Sequence, residues 1–222
     1  MARHGSATAA VPDLAADRAA ALAATVVSRE TLGRLDEFVR LLLKWQATTN
    51  LVAASTVSRV WTRHVADSLQ LVALAPVSRT WVDLGSGAGF PGVVIASALA
   101  QVPGSEIHLV DSNRRKAAFL REAVRTLALP ALVHAERIEE FVLAFDQRAD
   151  IVTARALAPL GRLLGLAEPL LKRGAQGLFP KGQDVDAELT AASKCWKIDA
   201  EVALSKTSAQ GRIVIVRNVE RR

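Results

Sequence analysis

The chain has 222 residues, a formal net charge of +6, and a composition that is half hydrophobic. This length supports one substantial core with a helical appendage and is short for two independent domains. The single cysteine, Cys195, excludes an intramolecular disulfide, and the four histidines lack the paired spacing of zinc sites. The sequence therefore predicts a cytoplasmic protein without a structural metal.

The charge balance and the hydropathy pattern limit the classes of partner. The excess of Lys and Arg favours an anionic partner such as nucleic acid. From composition alone, a basic surface that only contacts solvent is an equally good interpretation. No apolar run approaches the roughly 20 residues that span a bilayer, so no membrane partner is expected. The alanine-rich start is not expected to be a secretory signal, because Asp13, Asp17 and Arg18 lie just before the apolar run and break the order of charged region then apolar region. Residues 1 to about 12 are instead expected to be a frayed terminus.

The first third of the chain has helical periodicity, with turns predicted at residues 48–50 and 55–58. The clearest helix begins at Ser28, an N-cap with Glu30 in the first turn. Its apolar face is predicted to contain Leu32, Leu35, Phe38, Val39, Leu42 and Trp45. Residues 1–75 are thus predicted to form an N-terminal helical extension and lid.

Beyond Pro76, short strand-like runs alternate with segments of helical period. The runs are "TWVDLGS", "EIHLVDS", "ALVHAER", "DIVTARA" and "QGLFPKG", with helices predicted over residues 114–127 and 160–171. Such alternation predicts a parallel sheet with right-handed crossovers. The runs "CWKIDAEVALS" and "RIVIVRNV" flank a polar turn and predict a final hairpin. Residues 76–222 are therefore predicted to form an α/β domain whose mostly parallel sheet ends in a hairpin with one antiparallel strand.

A glycine-rich loop follows the first strand of this sheet. Gly85, Gly87 and Gly89 come directly after an apolar run, and Pro91 suits the first turn of a helix. Such a loop lets a ligand approach bare backbone at a helix N-terminus. The alternative is a glycine-rich turn needed only for packing, but ordinary strand-to-helix turns need far fewer glycines.

Two aspartates bear on which cofactor this loop binds. Asp111 follows the second strand and suits the ribose hydroxyls of either a dinucleotide or S-adenosylmethionine (SAM). Asp83 discriminates, because a carboxylate beside the loop repels a pyrophosphate and attracts the ammonium group of SAM. The alternative role for Asp83 is a cap on the following helix. We therefore predict SAM as the cofactor.

Other polar residues are predicted to meet at the carboxyl ends of the strands, where open parallel sheets bind ligands. Ser112, Arg155 and Lys181 follow the second, fourth and fifth strand runs. Ile138 and Glu139 after the third run suit one face and one edge of an adenine. Glu139 has an alternative reading as a first-turn acid favoured by the helix dipole.

Residues outside the strand ends are substrate candidates. Arg63, His64 and Asp67 lie on a predicted helix before the first strand, where they can cover the site together with Trp45 and Asn50. A local ion pair between helical neighbours is the alternative.

The helix after Asp111 adds Arg115 and Lys116 in its first turn, and Lys116 can extend its long side chain to the rim. Its other arginines, Arg114, Arg121 and Arg125, are more consistent with an ordinary solvated face than with phosphate contacts.

Several motifs together resemble one known family. They are "LLLKWQATTNLV", "TRHVADSLQL", "WVDLGSGAGFPGVVIA", "LVDSNRRKAAFLREA", "RIEEF", "TARALAPL" and "FPKGQ", spread over residues 30–185. In order and spacing they resemble the bacterial 16S rRNA (guanine-N7)-methyltransferases, also called the glucose-inhibited division protein B family. "RHVADSL" combined with "GFPG" and "TARA" is the most specific part, whereas the glycine core is shared with many methyltransferases.

The resemblance implies a class I SAM-dependent methyltransferase fold, with SAM as methyl donor. The substrate would be a guanine in the 530 loop of 16S rRNA in the small ribosomal subunit. Cofactor contacts carried over by position would be Gly85, Phe90, Ile138, Glu139 and Arg155. The resemblance offers no clear counterpart for the first 25 residues and the final "RNVERR", so it leaves their roles open. No obligate protein partner is implied.

Guanine N7 carries a free lone pair, so the implied methyl transfer needs no general base and depends on positioning and desolvation. Arg155 and Lys181 are candidates for orienting the base or a phosphate. An unstacked loop base also needs a flat surface, for which Phe90 and Trp45 are candidates, although each is more often core. Two alternatives remain: a methyltransferase for a small molecule, and a SAM-binding or RNA-binding module without turnover.

Overall fold

The computed structural model describes residues 14–222. Its helices are α1 Ala15–Ala23, α2 Arg29–Gln46, α3 Ala54–Val57, a π-helix Trp61–Ala66, α4 Asp67–Leu74, α5 Gly92–Leu99, α6 Arg114–Thr126, α7 Ile138–Ala144, α8 Leu160–Lys172 and α9 Val185–Ala192. Its strands are β1 Thr80–Leu84, β2 Glu106–Val110, β3 Ala131–His134, β4 Ile151–Thr153, β5 Gln176–Lys181, β6 Trp196–Leu204 and β7 Arg212–Arg221.

The strands form one sheet in the order β3-β2-β1-β4-β5-β7-β6. The first five are parallel, and β7 runs antiparallel to both β5 and β6. The predicted mostly parallel sheet with a final hairpin is therefore confirmed. Strands β2 and β3 extend the sheet on one side of β1, whereas β4 and β5 extend it on the other side, so the strand order reverses beside β1. Ligands of open α/β sheets bind in the crevice outside such a switch point.

Alternation along β1 divides the core into two layers. Successive side chains of a strand point to opposite faces. Trp81 packs in the layer that contains α2, the π-helix, α4, α5 and α6, whereas Val82 and Leu84 pack in the layer of α7 and α8. All three side chains are fully buried. The strand ends above them are consequently held rigidly from both faces.

The long helix α2 begins and packs as its sequence predicts. The Ser28 hydroxyl accepts a hydrogen bond from the Thr31 amide at 3.1 Å, and the predicted face buries Leu35, Phe38, Val39 and Leu42. Trp45 is placed differently from its predicted lid position. Its ring packs edge-on against Phe119 at 5.7 Å and its N–H donates to Glu122. Trp45 therefore belongs to the packing between α2 and α6.

Other sequence expectations have mixed outcomes. The turn predicted over residues 55–58 is largely the short helix α3. Helix α9 was not predicted, because within it only Val185 and Ala192 are buried and its apolar period is weak. The predicted frayed terminus lies outside the described residues. Within residues 14–222, no helix is long and apolar enough to cross a membrane.

Candidate functional site

The glycine loop between β1 and α5 depends on glycine for its backbone shape. Gly85, Gly87 and Gly89 all have positive φ, at 71°, 54° and 85°. Side chains other than glycine rarely adopt this left-handed conformation. At Gly89 a Cβ would also lie 2.7 Å from the Val93 side chain. The loop thus presents bare backbone at the carboxyl end of β1.

Asp83 lies beneath this loop and not in a cavity beside it. Its side chain is almost fully buried, and its Oδ2 accepts a hydrogen bond from the Gly92 amide, the first of α5, at 3.1 Å. The other oxygen, Oδ1, has no partner among the described residues. The Gly92 contact supports the helix-capping alternative. The unpartnered Oδ1 leaves the contact between Asp83 and the ammonium group of SAM a prediction. Asp83 holds the loop and α5 together from below.

Burial raises the pKa of Asp83 from 3.8 to about 7. Because folding raises this pKa, the folded state binds the proton more tightly than the unfolded state does. The contribution of the protonated carboxyl to the free energy of unfolding is fully present below pH 4 and is lost as the pH rises through 7. We expect Asp83→Asn to gain stability relative to the wild type between pH 4 and pH 8, by on the order of a few kcal/mol. Urea unfolding across this range measures the difference, with the exposed Asp199→Asn as a control. A difference that does not change with pH would contradict this expectation.

A cavity of about 230 Å³ lies beside the loop. It brings together five of the predicted cofactor residues, namely Gly85, Asp111, Ser112, Ile138 and Glu139. Its remaining wall, which the sequence did not predict, consists of Arg137, Leu157, Ala158, Arg162 and Leu166. We call this space the loop cavity. It combines bare backbone, two carboxylates and an apolar face, which together suit an adenosine.

Asp111 connects the glycine loop to the start of α6. Its Oδ2 accepts a hydrogen bond from the Gly87 amide at 2.9 Å, and its Oδ1 accepts one from the Asn113 amide at 2.8 Å. The Lys116 side chain extends to the glycine loop, as predicted. Its Nζ lies 3.9 Å from the position that a Cβ on Gly87 would occupy. Arg115 is exposed on the same turn of α6. The carboxylate of Asp111 is thereby fixed at the end of β2.

The first turn of α7 forms the far side of the loop cavity. A backbone amide of that turn and the neighbouring Arg137 lower the pKa of Glu139 below its usual range. An ionised Glu139 next to the apolar Ile138 offers one acceptor and one flat hydrophobic contact. These are the two features predicted for binding the edge and the face of an adenine.

A second, larger cavity of about 780 Å³ lies over the ends of β4 and β5. Its lining includes Arg63, Asp67, Arg155 and Lys181, together with residues of the turn between β6 and β7. It shares Leu157 and Ala158 with the loop cavity. We call this space the rim cavity. The segment of residues 155–159 after β4 is therefore the wall between the two cavities, and Ala156 within it has a positive φ of 52°.

Arg155, which is predicted both to contact the cofactor and to orient the base or a phosphate, lines the rim cavity. Its Nη2 donates to the Arg63 carbonyl at 2.8 Å, and its Nε lies 3.6 Å from Asp67 Oδ2. Its Nη1 is buried without a partner among the described residues. Burial lowers the pKa of Arg155. Asp67 thus pairs with Arg155 across the fold, and the alternative of a local pair with Arg63 does not hold.

Lys181 and Glu188 together hold the wall between the cavities, and the sequence does not predict the role of Glu188. Its Nζ donates to the Ala158 carbonyl at 2.9 Å and to Glu188 Oε2 at 2.7 Å. The same Glu188 oxygen accepts the Leu160 amide at 2.6 Å. Glu188 lies on the unpredicted α9, and only the folded chain brings it to the start of α8.

Phe90, His64 and Asn50 are among the predicted residues that line neither cavity. The Phe90 ring is only 7% exposed, lying stacked on His64 at 4.9 Å and edge-on to Phe38 at 5.3 Å, so it offers no free surface to a base. His64 also contacts the Thr56 hydroxyl at 3.0 Å, and burial lowers its pKa to about 3, which leaves it neutral. Asn50 is exposed after the end of α2. The cofactor contact of Phe90 and the substrate roles of His64 and Asn50 stay predictions.

This strand order, with a glycine loop at the switch point and an acid after β2, defines the class I SAM-dependent methyltransferase fold. Solved structures share it: a cofactor-bound Rv0187 from MTB has a TM-score of 0.60 at 14% identity, over 94% of this chain and 98% of that one. An O-methyltransferase from Bacillus cereus in complex with SAH has a TM-score of 0.58 at 13% identity, over 91% and 97%. These likenesses concern the fold alone.

The chain belongs to the family described as rRNA small subunit methyltransferase G, which it matches over residues 31–216. A "Ribosomal RNA small subunit methyltransferase G" from Bradyrhizobium sp. (strain ORS 278) is 58% identical over 217 residues, covering 98% of both chains. Another of that name, from Nitrobacter hamburgensis, is 58% identical over 211 residues, covering 95% of this chain and 81% of the relative. The family resemblance of the sequence motifs is thus confirmed.

Proposed function

We propose that this protein transfers the methyl group of SAM to N7 of a guanine in the 530 loop of 16S rRNA, by direct in-line attack without a general base. The observation that carries the proposal is the wall of Leu157 and Ala158, shared by two cavities of different chemistry. A donor in one cavity and an acceptor base in the other would meet where the two cavities adjoin beside these residues, with no side chain between the methyl group and N7. The partner is then the small ribosomal subunit, which implies a cytoplasmic location.

The loop cavity fits SAM by its chemistry. Gly85 offers backbone without a side chain, Asp111 offers a fixed carboxylate for the ribose hydroxyls, and Ile138 with Glu139 suits the adenine. Bound SAM supplies a methyl group on a positively charged sulfur. Leu157 packs over Gly85, where an added Cβ would meet it at 2.7 Å, and it forms an apolar wall of the cavity. Exclusion of water favours transfer of the methyl group to the base.

The rim cavity suits a nucleotide base that reacts without being deprotonated by the protein. Two of its carboxylates, Asp67 and Glu188, are already bonded to Arg155 and Lys181. The lone pair of guanine N7 must stay free to attack the methyl group, and a guanidinium or ammonium group can hold the base by donating to the neighbouring O6. Attack by N7 releases no proton, so the protein needs to orient the base and not to deprotonate it. Arg155 and Lys181 are the proposed orienting residues.

Methyl transfer from radiolabelled SAM to small ribosomal subunits tests this proposal. We expect one methyl group per particle when the subunits lack this modification, and none when the target guanine is already methylated. Borohydride and aniline treatment, which cleaves RNA at N7-methylguanine, should then break the RNA at one guanine of the 530 loop. Absence of label in the RNA would refute the substrate, and labelled RNA that resists cleavage would refute the N7 position.

A further inference from the structure

A small pocket opens beside the rim cavity, between the π-helix and the turn that joins β6 to β7. Its volume is about 220 Å³. It shares Arg63, Asp67 and Ser208 with the rim cavity and adds Arg59, Thr62, Thr207 and Ala209. We call it the side pocket. It lies next to the proposed guanine site without belonging to it.

The side pocket holds more positive than negative charge. Arg59 and Arg63 form no ion pair within residues 14–222, since no carboxylate oxygen lies within 4.0 Å of either guanidinium group. Asp67 lines the pocket, but its Oδ2 is paired with Arg155, while its Oδ1 accepts hydrogen bonds from Gln70 and Thr207. Among the lining residues, the two guanidinium groups of Arg59 and Arg63 therefore face one carboxylate that is already paired elsewhere. An added anion would relieve their mutual repulsion.

The walls of the pocket are held in place from both sides. Asp17 accepts the amides of Trp61 and Thr62, which fixes the start of the π-helix. On the opposite wall, the Lys206 amide donates to Gln70 Oε1 at 2.9 Å, tying the turn to α4. A preorganised pocket loses less entropy on binding than a flexible surface does.

We infer that the side pocket binds a backbone phosphate of the RNA, next to the guanine that enters the rim cavity. Arg59, Arg63 and the Ser208 hydroxyl, none of which has a side-chain partner within residues 14–222, are suitable donors to phosphate oxygens. Because a water molecule occupies about 30 Å³, the pocket has room for one phosphate group with bridging waters. This inference rests on the proposed function and adds a specific anchor for the substrate beside the reacting base.

Replacing both unpaired arginines tests the anchor. We expect Arg59→Gln with Arg63→Gln to raise the KM for small ribosomal subunits by about 10-fold, the cost of losing charge-assisted hydrogen bonds to one phosphate. The slope of log KM against log salt should fall by about 0.7. The affinity for SAM by calorimetry and the melting temperature should stay unchanged, because both side chains are exposed and unpaired.

A matched control separates the pocket from overall charge. Arg114→Gln with Arg121→Gln removes the same charge from the exposed face of α6, where neither residue has a carboxylate partner among the described residues, and should leave KM nearly unchanged. Ser208→Asp keeps both arginines but supplies them with an internal carboxylate, and should raise KM as the double replacement does.

Equal KM values for the α6 control and the pocket variant would overturn the phosphate site. So would wild-type behaviour of the pocket variants. Both outcomes are distinct from failure of the proposed function, in which the wild-type protein itself transfers no methyl group to RNA.

Discussion

Asp111→Ala is expected to weaken SAM binding by about 100-fold, the loss of two hydrogen bonds to a charged acceptor. The substitution also frees the Gly87 and Asn113 amides, which the carboxylate holds at 2.9 and 2.8 Å. The glycine loop and the first turn of α6 then lose their common anchor. Isothermal calorimetry with SAM measures the change directly.

The neighbouring Ser112 provides the control for this experiment. Ser112 lines the same cavity, but its exposed hydroxyl has no hydrogen-bond partner among the described residues. Ser112→Ala should therefore change SAM affinity only a few-fold. Thermal unfolding of both variants shows whether the fold is retained. Wild-type affinity in Asp111→Ala would remove this residue from the cofactor site.

Glu188→Ala is expected to lower the rate of methyl transfer at saturating substrates by about 100-fold, with SAM affinity changed much less. The Lys181 side chain is only 9% exposed, and removal of Glu188 leaves its ammonium with the Ala158 carbonyl alone. The Leu160 amide loses its acceptor as well. The wall between the cavities then shifts, and small misplacements of reacting groups are costly in rate. Single-turnover kinetics with saturating SAM measures the transfer step.

Two variants show that Glu188 acts by positioning the wall. Glu188→Gln keeps an oxygen acceptor for the Leu160 amide and should recover much of the rate. Asp186→Ala removes an exposed acid from the same first turn of α9 and should behave as the wild type. An equal rate loss in Asp186→Ala would contradict a specific role for Glu188, as would a loss of SAM affinity as large as the loss of rate.

Local periodicity was sufficient to predict the sheet, its hairpin and most of the helices. The position of Asp83 was accessible to the same reasoning, because period-two alternation places it on the same face as the buried Trp81. Its carboxylate therefore lies beneath α5, where Oδ2 accepts the Gly92 amide. The sequence thus identifies Asp83 as important to the loop, and its contact with SAM stays a prediction.

The missing parts of the site depend on contacts between distant elements. Glu188 is 28 residues from Leu160, whose amide it accepts, and it lies on a helix too weakly periodic to be predicted. Motif position predicts that Arg155 and Phe90 contact the cofactor, but it does not predict their protein partners. Arg155 contacts Arg63 and Asp67 at the rim cavity, and the Phe90 ring packs between Phe38 and His64.

A crystal structure of the protein with S-adenosylhomocysteine most directly tests the two-cavity account. We expect the adenine beside Ile138 and Glu139, the ribose at Asp111, and the sulfur directed past Leu157 toward the rim cavity. The rim cavity should remain open to a nucleotide. A ligand bound in the rim cavity between Arg155 and Lys181, or one whose sulfur points away from Leu157, would contradict the account.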